Sequence, residues 1–385
     1  MAVPKLRFTG FDGDYLELSY DKFAPLQRGF DLPVSTIVEG DYPVVFSNGI
    51  LKKHNEFKAQ APGVVTGRSG TIGNITWVEK DYWPHNTSLW VTNFFDNEPK
   101  YVFYFLQKFD VSRFASGSGV PTLNRNDVHA QLITISPERR EQTKIASFLS
   151  AVDEKISQLT QKHQLLSQYK QGMMQKLFSQ QLRFKADDGS EFGEWEEKIL
   201  KDLFPKIRNG FVGVATPYYV NYGVKYLQGK NIKNGKIDAT GLIFINQEFH
   251  QKKTNSILKT NDILMVQSGH VGECAVVTED YDNANCHALL VLSPKSSKLI
   301  NSKFVVYYFY SEIGKKKIAL IKTGNTIEHI LASDIKEVAL LFPCLAEQTK
   351  IANFLSAIDQ KIEVVAQQIE QAKTWKKGLL QQMFV

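Results

Sequence analysis

The chain has 385 residues, of which 43% are hydrophobic and 22% charged, room for two domains of ~100–200 residues and some further structure. Its 46 Lys and Arg outnumber 40 Asp and Glu, and the resulting +6 is compatible with nucleic acid without selecting it. Without ~18 uninterrupted apolar residues, a signal-peptide core in MAVPKLRFTGFDG, or zinc-like spacing of Cys274, Cys286 and Cys344, the composition argues against membrane, secreted, disulfide-rich and disordered classes.

The expectation is a cytoplasmic protein with its cysteines as small core residues. In chain order, Leu6-Arg7-Phe8 leads through a Gly-rich stretch to Tyr15, then to Arg28-Gly29-Phe30 and Pro33. GRSGTIG (Gly67 to Gly73) is a glycine-rich turn, followed by Asp81-Tyr82 and by KYVFYFLQKF, a short helical pattern. GSGVPTLNRNDV (Gly117 to Val128) is a second turn, LITIS reads as a strand, and Pro137 precedes a long periodic segment. There Ile145, Leu149, Val152, Ile156, Leu159, Leu166, Met173 and Leu177 step mostly by threes, fours and sevens, the seam of a coiled-coil helix about 60 Å long at ~1.5 Å per residue.

The second half repeats this plan. After the first helix come Leu182-Arg183-Phe184, a Gly-rich acidic stretch and Trp195, then Arg208-Asn209-Gly210-Phe211 and Pro217. QSGHVG (Gln267 to Gly272), Asp280-Tyr281, KFVVYYFYSEI, KTGNTIEHILASDI (Lys322 to Ile335), VALLF and Pro343 follow in matching order. EQTKIANFLSAIDQKI (Glu347 to Ile362) then matches EQTKIASFLSAVDEKI (Glu141 to Ile156) at 13 of 16 positions, and Lys170, Gly172, Gln175 and Phe178 match Lys376, Gly378, Gln381 and Phe384. The second seam runs through Ile351, Leu355, Ile358, Ile362, Val365, Ile369, Leu379 and Met383.

The second helix lacks the LRF tail of the first, and the N-terminus supplies it. The repeat is therefore circularly permuted, and the two chain ends are expected close together. The expected architecture is α/β (α+β), two globular domains joined by two long helices in an antiparallel coiled coil. The divisions are 1–136, 137–181, 182–342 and 343–385. Near-identical helices suit two copies of one partner, whereas diverged domains suit two different ligands. If that ligand is DNA, a helix pair can set reading modules about one turn, roughly 34–36 Å, apart. Glu141, Gln142, Lys144, Asp153 and Lys155, with Glu347, Gln348 and Lys350 in the second copy, are expected to be exposed, and the Glu, Gln and Lys of each EQTK are partner-docking candidates.

Catalytic machinery is missing from the motifs. There is no nucleotide fingerprint, Walker loop, H-E-x-x-H or amino-methyltransferase signature. Asp96, Glu98 and Lys100 loosely mimic a nuclease cluster, a chance pattern in a charged loop. The glycine turns instead carry side chains suited to nucleic acid: Arg, Asn and His can read base edges, while Ser, Thr and Lys more often hold phosphate. The DNA-binding candidates are Arg28, Arg68, Ser69, Thr71, Ser118, Thr122, Asn124 and Arg125 in the first half. In the second they are Arg208, Ser268, His270, Lys322, Thr323, Asn325, Thr326 and His329. Ordinary tight turns would explain each singly; their recurrence at matching places favours contact.

The doubled EQTKIA-FLSA-D-KI helix with its K-x-G-x-x-Q-x-x-F end, the LRF segment and the GRSGTIG and GSGVPTLN turns resemble the specificity subunit of type I restriction-modification systems over essentially the whole chain. The resemblance implies two target recognition domains, each reading half of a bipartite site in double-stranded DNA. It also implies helices that dock two modification (methyltransferase) subunits, with two restriction subunits joining them. S-adenosylmethionine, ATP and Mg2+ would belong to those partners, and this chain would be non-catalytic. The alternative is a coiled-coil scaffold whose two domains bind proteins.

Overall fold

The computed structural model describes residues 3–117, 119–324 and 328–385. The two long helices are present as Arg139–Phe178 and Leu345–Met383. Neither contains a proline, and Pro137 and Pro343 stand just before their starts, where a missing N–H costs no helical hydrogen bond. The chain forms two compact units, residues 1–162 with 365–385, and residues 163–364. Each long helix is thus shared, its halves packing in different units.

In the first unit a four-stranded antiparallel sheet has the spatial order Leu26–Arg28, Ser88–Val91, Gly63–Gly67, Ile75–Val78. A second sheet places Gly49–His54 and, in parallel, Trp83–Pro84 on either side of Tyr42–Phe46. Leu16–Ser19 pairs with Leu132–Ile135, the LITIS strand. The helix Pro99–Phe109, read as KYVFYFLQKF, buries Tyr101, Tyr104 and Phe105. Its core takes in Ile145, Leu149 and Val152 from the start of the first long helix and Leu379, Met383 and Phe384 from the end of the second. Phe148 meets Trp375, while Val152 and Leu159 share a groove with Gln368 and Ala372, so the two segments run antiparallel. The Leu6 N–H donates to the Gln382 carbonyl at 2.9 Å, joining chain start to chain end as the permuted repeat requires.

The second unit repeats the order with Lys206–Asn209, Leu289–Ser293, Ile263–Val266 and Cys274–Val276. Its second sheet orders Tyr219–Val220, Ile243–Ile245, Val224–Leu227 and Asn285–Cys286, the last pair parallel. Glu196–Ile199 pairs with Ala339–Phe342. Met174, Leu177 and Phe178 close its core together with Ile351, Leu355 and Ile358. The extra length of this half lies in a hairpin, Ile232–Lys233 with Lys236–Ile237, and in two helices, Gln247–Lys252 and Glu312–Leu320. The KFVVYYFYSEI pattern is two helices, not one: Ser302–Tyr310 stops at Ser311, whose hydroxyl caps the next helix by accepting from the Gly314 N–H at 3.1 Å. Cys274 and Cys286 are buried as expected, but Cys344 is exposed, because it sits in the short connection before the second long helix.

Candidate nucleic-acid interface and the repeated helix starts

In the first unit the two glycine turns lie against each other. Arg68 and Ser69 N–H groups donate to the Thr87 carbonyl, the Leu123 N–H donates to the Arg68 carbonyl at 2.8 Å, and Ser69 bridges to Thr122. Gly67 is required there, since a Cβ would fall 1.7 Å from the Thr71 carbonyl oxygen. Thr71 and Arg125 are exposed, while Arg68, Ser69 and Thr122 are half-buried. Asn124 is exposed, but its side chain caps the helix Arg125–His129 by accepting from the Asn126 N–H at 3.0 Å. Arg28 ends its strand opposite Leu89 and pairs with Asp31 at 2.7 Å. Ser118 lies outside the described residues.

The second unit brings the matching segments together in the same way. Ser268 bridges to His329, Thr323 and His329 exchange two backbone hydrogen bonds, and the Ile330 N–H donates to the Gln267 carbonyl at 3.0 Å. Ser268, His270, Thr323 and His329 are exposed, and Lys322 is held by Glu328 at 2.8 Å. Asn325 and Thr326 lie outside the described residues. Arg208 must be removed from the exposed set. It is buried, paired with Asp262 at 3.3 Å and donating to Ser293 Oγ and to the Asn255 and Ile257 carbonyls. All of its guanidinium nitrogens are used to tie the sheet edge to a loop.

The helix starts also differ from the sequence expectation. Glu141, Gln142, Glu347 and Gln348 are buried, not exposed. Glu141 accepts from Arg7 Nε at 2.7 Å and Ser136 Oγ at 2.6 Å; Glu347 accepts from Arg183 Nη2 at 2.8 Å and Trp195 Nε1 at 3.0 Å. Both carboxylates sit in the first helical turn, where the helix dipole also favours negative charge. Gln142 donates to the Ser136 carbonyl and accepts from the Glu98 N–H, and Gln348 does the same with the Pro343 carbonyl and the Asn301 N–H. These four side chains cannot meet a partner from inside the fold. The remaining candidates face outward but are engaged: Lys144 lies 5.0 Å from the Phe8 ring, and Lys350 pairs with Asp187 at 2.6 Å.

A polar cluster that the motif reading passed over recurs further along the helices. Asp153 accepts from the Tyr104 hydroxyl at 2.9 Å and pairs with Lys376 at 2.7 Å. Asp359 accepts from the Tyr307 hydroxyl at 2.7 Å and pairs with Lys170 at 2.6 Å. Burial, reinforced by the neighbouring carboxylate, pushes both tyrosine pKa values up, so each phenol remains a donor. Identity at these helix positions is therefore explained by packing within the chain, which replaces the external partner inferred for Glu141, Gln142 and Asp153. The signal was present in the co-recurrence of LRF with EQ and of Asp153 and Asp359 with Lys376 and Lys170.

Glu98 lies 3.6 Å from Arg139, and Lys100 sits over the Trp77 ring at 4.0 Å, so these two members of the nuclease-like pattern are drawn into separate contacts. No cluster of His, Cys, Asp or Glu able to hold a metal occurs among the described residues, and no helix there is long and apolar enough to cross a membrane. The model of the type I restriction modification DNA specificity domain matches residues 34–168 and 193–374. The chain belongs to that family. This specificity subunit is 27% identical to the type I restriction enzyme MjaVIII specificity subunit of Methanocaldococcus jannaschii over 73% of its own length and 68% of the relative's. It is 29% identical to the putative MjaX specificity subunit of the same organism over 74% of its own length and 66% of the relative's. In these alignments it spans about two thirds of each relative. Its fold is similar to that of the type I S subunit from M. genitalium, with a TM-score of 0.66, 15% identity and coverage of 100% and 99% of the two chains. It is also similar to a chain solved in work on assembly and conformational transition of a type I system, with a TM-score of 0.57, 15% identity and coverage of 97% and 98%. The family's specificity subunits are non-catalytic components.

Proposed function

We propose that this specificity subunit reads an asymmetric, two-part site in double-stranded DNA, one part with each unit, and carries two modification subunits to it. The observation that carries the reading is the pair of stitched turns. They occupy corresponding places after the same sheet strands in both units, yet present Arg68, Thr71 and Arg125 in one and Ser268, His270 and His329 in the other. A common frame with different donors and acceptors is what reading two different base sequences requires. The modest +6 charge fits a chain that contributes specificity while its partners share the phosphate contacts. Two restriction subunits would complete the cleaving complex, and S-adenosylmethionine, ATP and Mg2+ would be bound by the partners.

Methylated sites mapped across the genome of a host carrying this chain and its modification subunit are expected to share one bipartite motif with unlike halves. A gel shift on random duplex DNA with the modification subunit present is expected to show retention. No retention under those conditions would remove the DNA-reading function.

A further inference from the structure

Arg28 is one member of a side-chain cluster whose other two, Asp31 and Asn86, no motif marked. Asp31 Oδ1 accepts from Arg28 Nη2 at 2.7 Å and also from Asn86 Nδ2. Arg28 and Asp31 are exposed, and Asn86 is half-buried. A solvated ion pair of this kind stabilises a fold by little, so packing does not require the three side chains to meet. The backbone that carries them, in contrast, is fixed. The Phe30 N–H donates to the Pro84 carbonyl at 2.8 Å, Phe30 bridges to His85, and a Cβ on Gly29 would fall 2.2 Å from the His85 carbonyl oxygen. His85 is buried, and its Nε2 donates to the Leu32 carbonyl at 3.2 Å, which leaves Nδ1 to accept from the Thr87 hydroxyl at 2.9 Å. Thr87 takes the Arg68 and Ser69 N–H groups on its carbonyl, so Asn86 stands next to the residue that anchors the first glycine turn.

We propose that Arg28 and Asn86 read a guanine and an adenine in adjacent base pairs of one half-site, and that Asp31 is the positioning residue that sets them side by side. This assignment rests on the proposed reading that the first unit recognises one half of the site. The atoms left free select bases over phosphate. Asp31 takes one hydrogen of Arg28 Nη2 and leaves the other with those of Nη1, the fork that fits guanine O6 and N7. It takes one hydrogen of Asn86 Nδ2 and leaves the second together with Oδ1, the donor and acceptor that fit adenine N7 and N6. Because both donors bond the same oxygen, they lie within two hydrogen-bond lengths of each other, a separation that two base pairs stacked ~3.4 Å apart can meet. The exposed carboxylate between them repels phosphate, which disfavours a backbone contact at this place. The second unit keeps the frame as the bridge from Phe211 to His287, but changes the side chains. Val212 and Ala288 follow Phe211 and His287 where Asp31 and Asn86 follow Phe30 and His85, and Asn209 takes the strand position of Arg28. The triad therefore serves one half-site only.

The test is the methylation map of a host carrying the full chain, wild type or variant, with its modification subunit. Within one half of the motif, R28A is expected to relax a G·C pair and N86A the neighbouring A·T pair, each losing the roughly 5- to 150-fold discrimination of a bidentate contact, while the other half stays unchanged. D31A should relax both pairs, whereas D31N, which keeps the accepting oxygen, should retain the motif. Thermal unfolding of each variant chain alone should match wild type, because the pair is solvated. A motif left unchanged by R28A and N86A would overturn the triad and leave the bipartite reading standing. So would a uniform loss of methylation at every site, the mark of phosphate contact, or relaxation at separated pairs or in both halves. A motif kept by D31A would remove Asp31 as the positioning residue. A wild-type map without a bipartite motif would overturn the underlying reading and the triad with it.

Discussion

Glu141 and Glu347 show how a short motif can be misread when its environment is not on the page. A carboxylate at a helix start reads as a surface residue, because an isolated buried charge is too costly. Here the arginine of each LRF segment supplies the counter-charge, and Ser136 or Trp195 satisfies the remaining lone pairs. Removing one partner of such a pair leaves the other uncompensated, so E141A and E347A should each cost about 3 kcal/mol in urea unfolding, whereas K144A should cost under about 1 kcal/mol. His129 makes a second residue-level prediction. Its Nε2 accepts from the Leu26 N–H at 2.8 Å, so the folded chain needs the neutral ring, and burial followed by the charge of Arg125 holds its pKa below the usual value. The unfolded chain takes up the proton near pH ~6.5, so this contribution is complete above that pH and is lost as pH falls through the lowered folded value. Thermal melts from pH 7.5 to 5.5 should therefore fall less steeply for H129Q than for wild type; equal slopes would remove His129 as a source of acid sensitivity.

The long helices were legible because period is visible without tertiary context: Ile145, Leu149, Val152, Ile351, Leu355 and Ile358 are all buried where the seam placed them. Ile156, Leu166 and Ile362 are half-buried, and one position was misplaced. Met173 is half-buried and its neighbour Met174 enters the core, a shift consistent with 3.6 residues per turn drifting from a seven-residue repeat. The second sheets were not legible, since strands as short as Trp83–Pro84 and Asn285–Cys286 have too few residues to show alternation and are paired only through distant partners. Nor could spacing reveal that Arg208 is spent on carbonyls near residue 255: the extra residue in Arg208-Asn209-Gly210-Phe211 puts Asn209, not Arg208, at the strand position of Arg28, which stays on the surface. Two predictions belong at this scale. L149A and L355A, each truncating a fully buried side chain at the helix contact, should cost ~2–5 kcal/mol. D359N should cost about 1 kcal/mol, because its ion pair with Lys170 is partly solvated although the Tyr307 bond can persist. A double cycle with K170M measures that coupling directly, and a value near zero would show that the pair does not hold the two helix segments together.

At the scale of the whole chain, circular permutation determines what can be exchanged. Each unit is a continuous recognition segment closed by the start of one helix and the end of the other. The first segment, residues 9–136, sits between Phe8 and Pro137, and neither Arg7 nor Glu141 is cut out by removing it. Its remaining obligations to the helices include Ser136 to Glu141, Asn97 and Glu98 to Gln142, Tyr104 to Asp153, Gln107 to Lys376, Lys108 to the Val385 carbonyl, and Tyr101 and Phe105 against Phe384. A donor segment from another family member that keeps a hydroxyl at the position of Ser136, a tyrosine at that of Tyr104 and aromatics at those of Tyr101 and Phe105 should therefore fold on this chain's helices with little loss of stability. If each unit reads its own half of the site, the hybrid with its modification subunit should methylate a motif in which one half comes from the donor and the other is unchanged. The measurement is the methylation map of a host carrying the hybrid. A motif altered in both halves would mean that the units do not read independently, and one altered in neither would place base recognition outside residues 9–136.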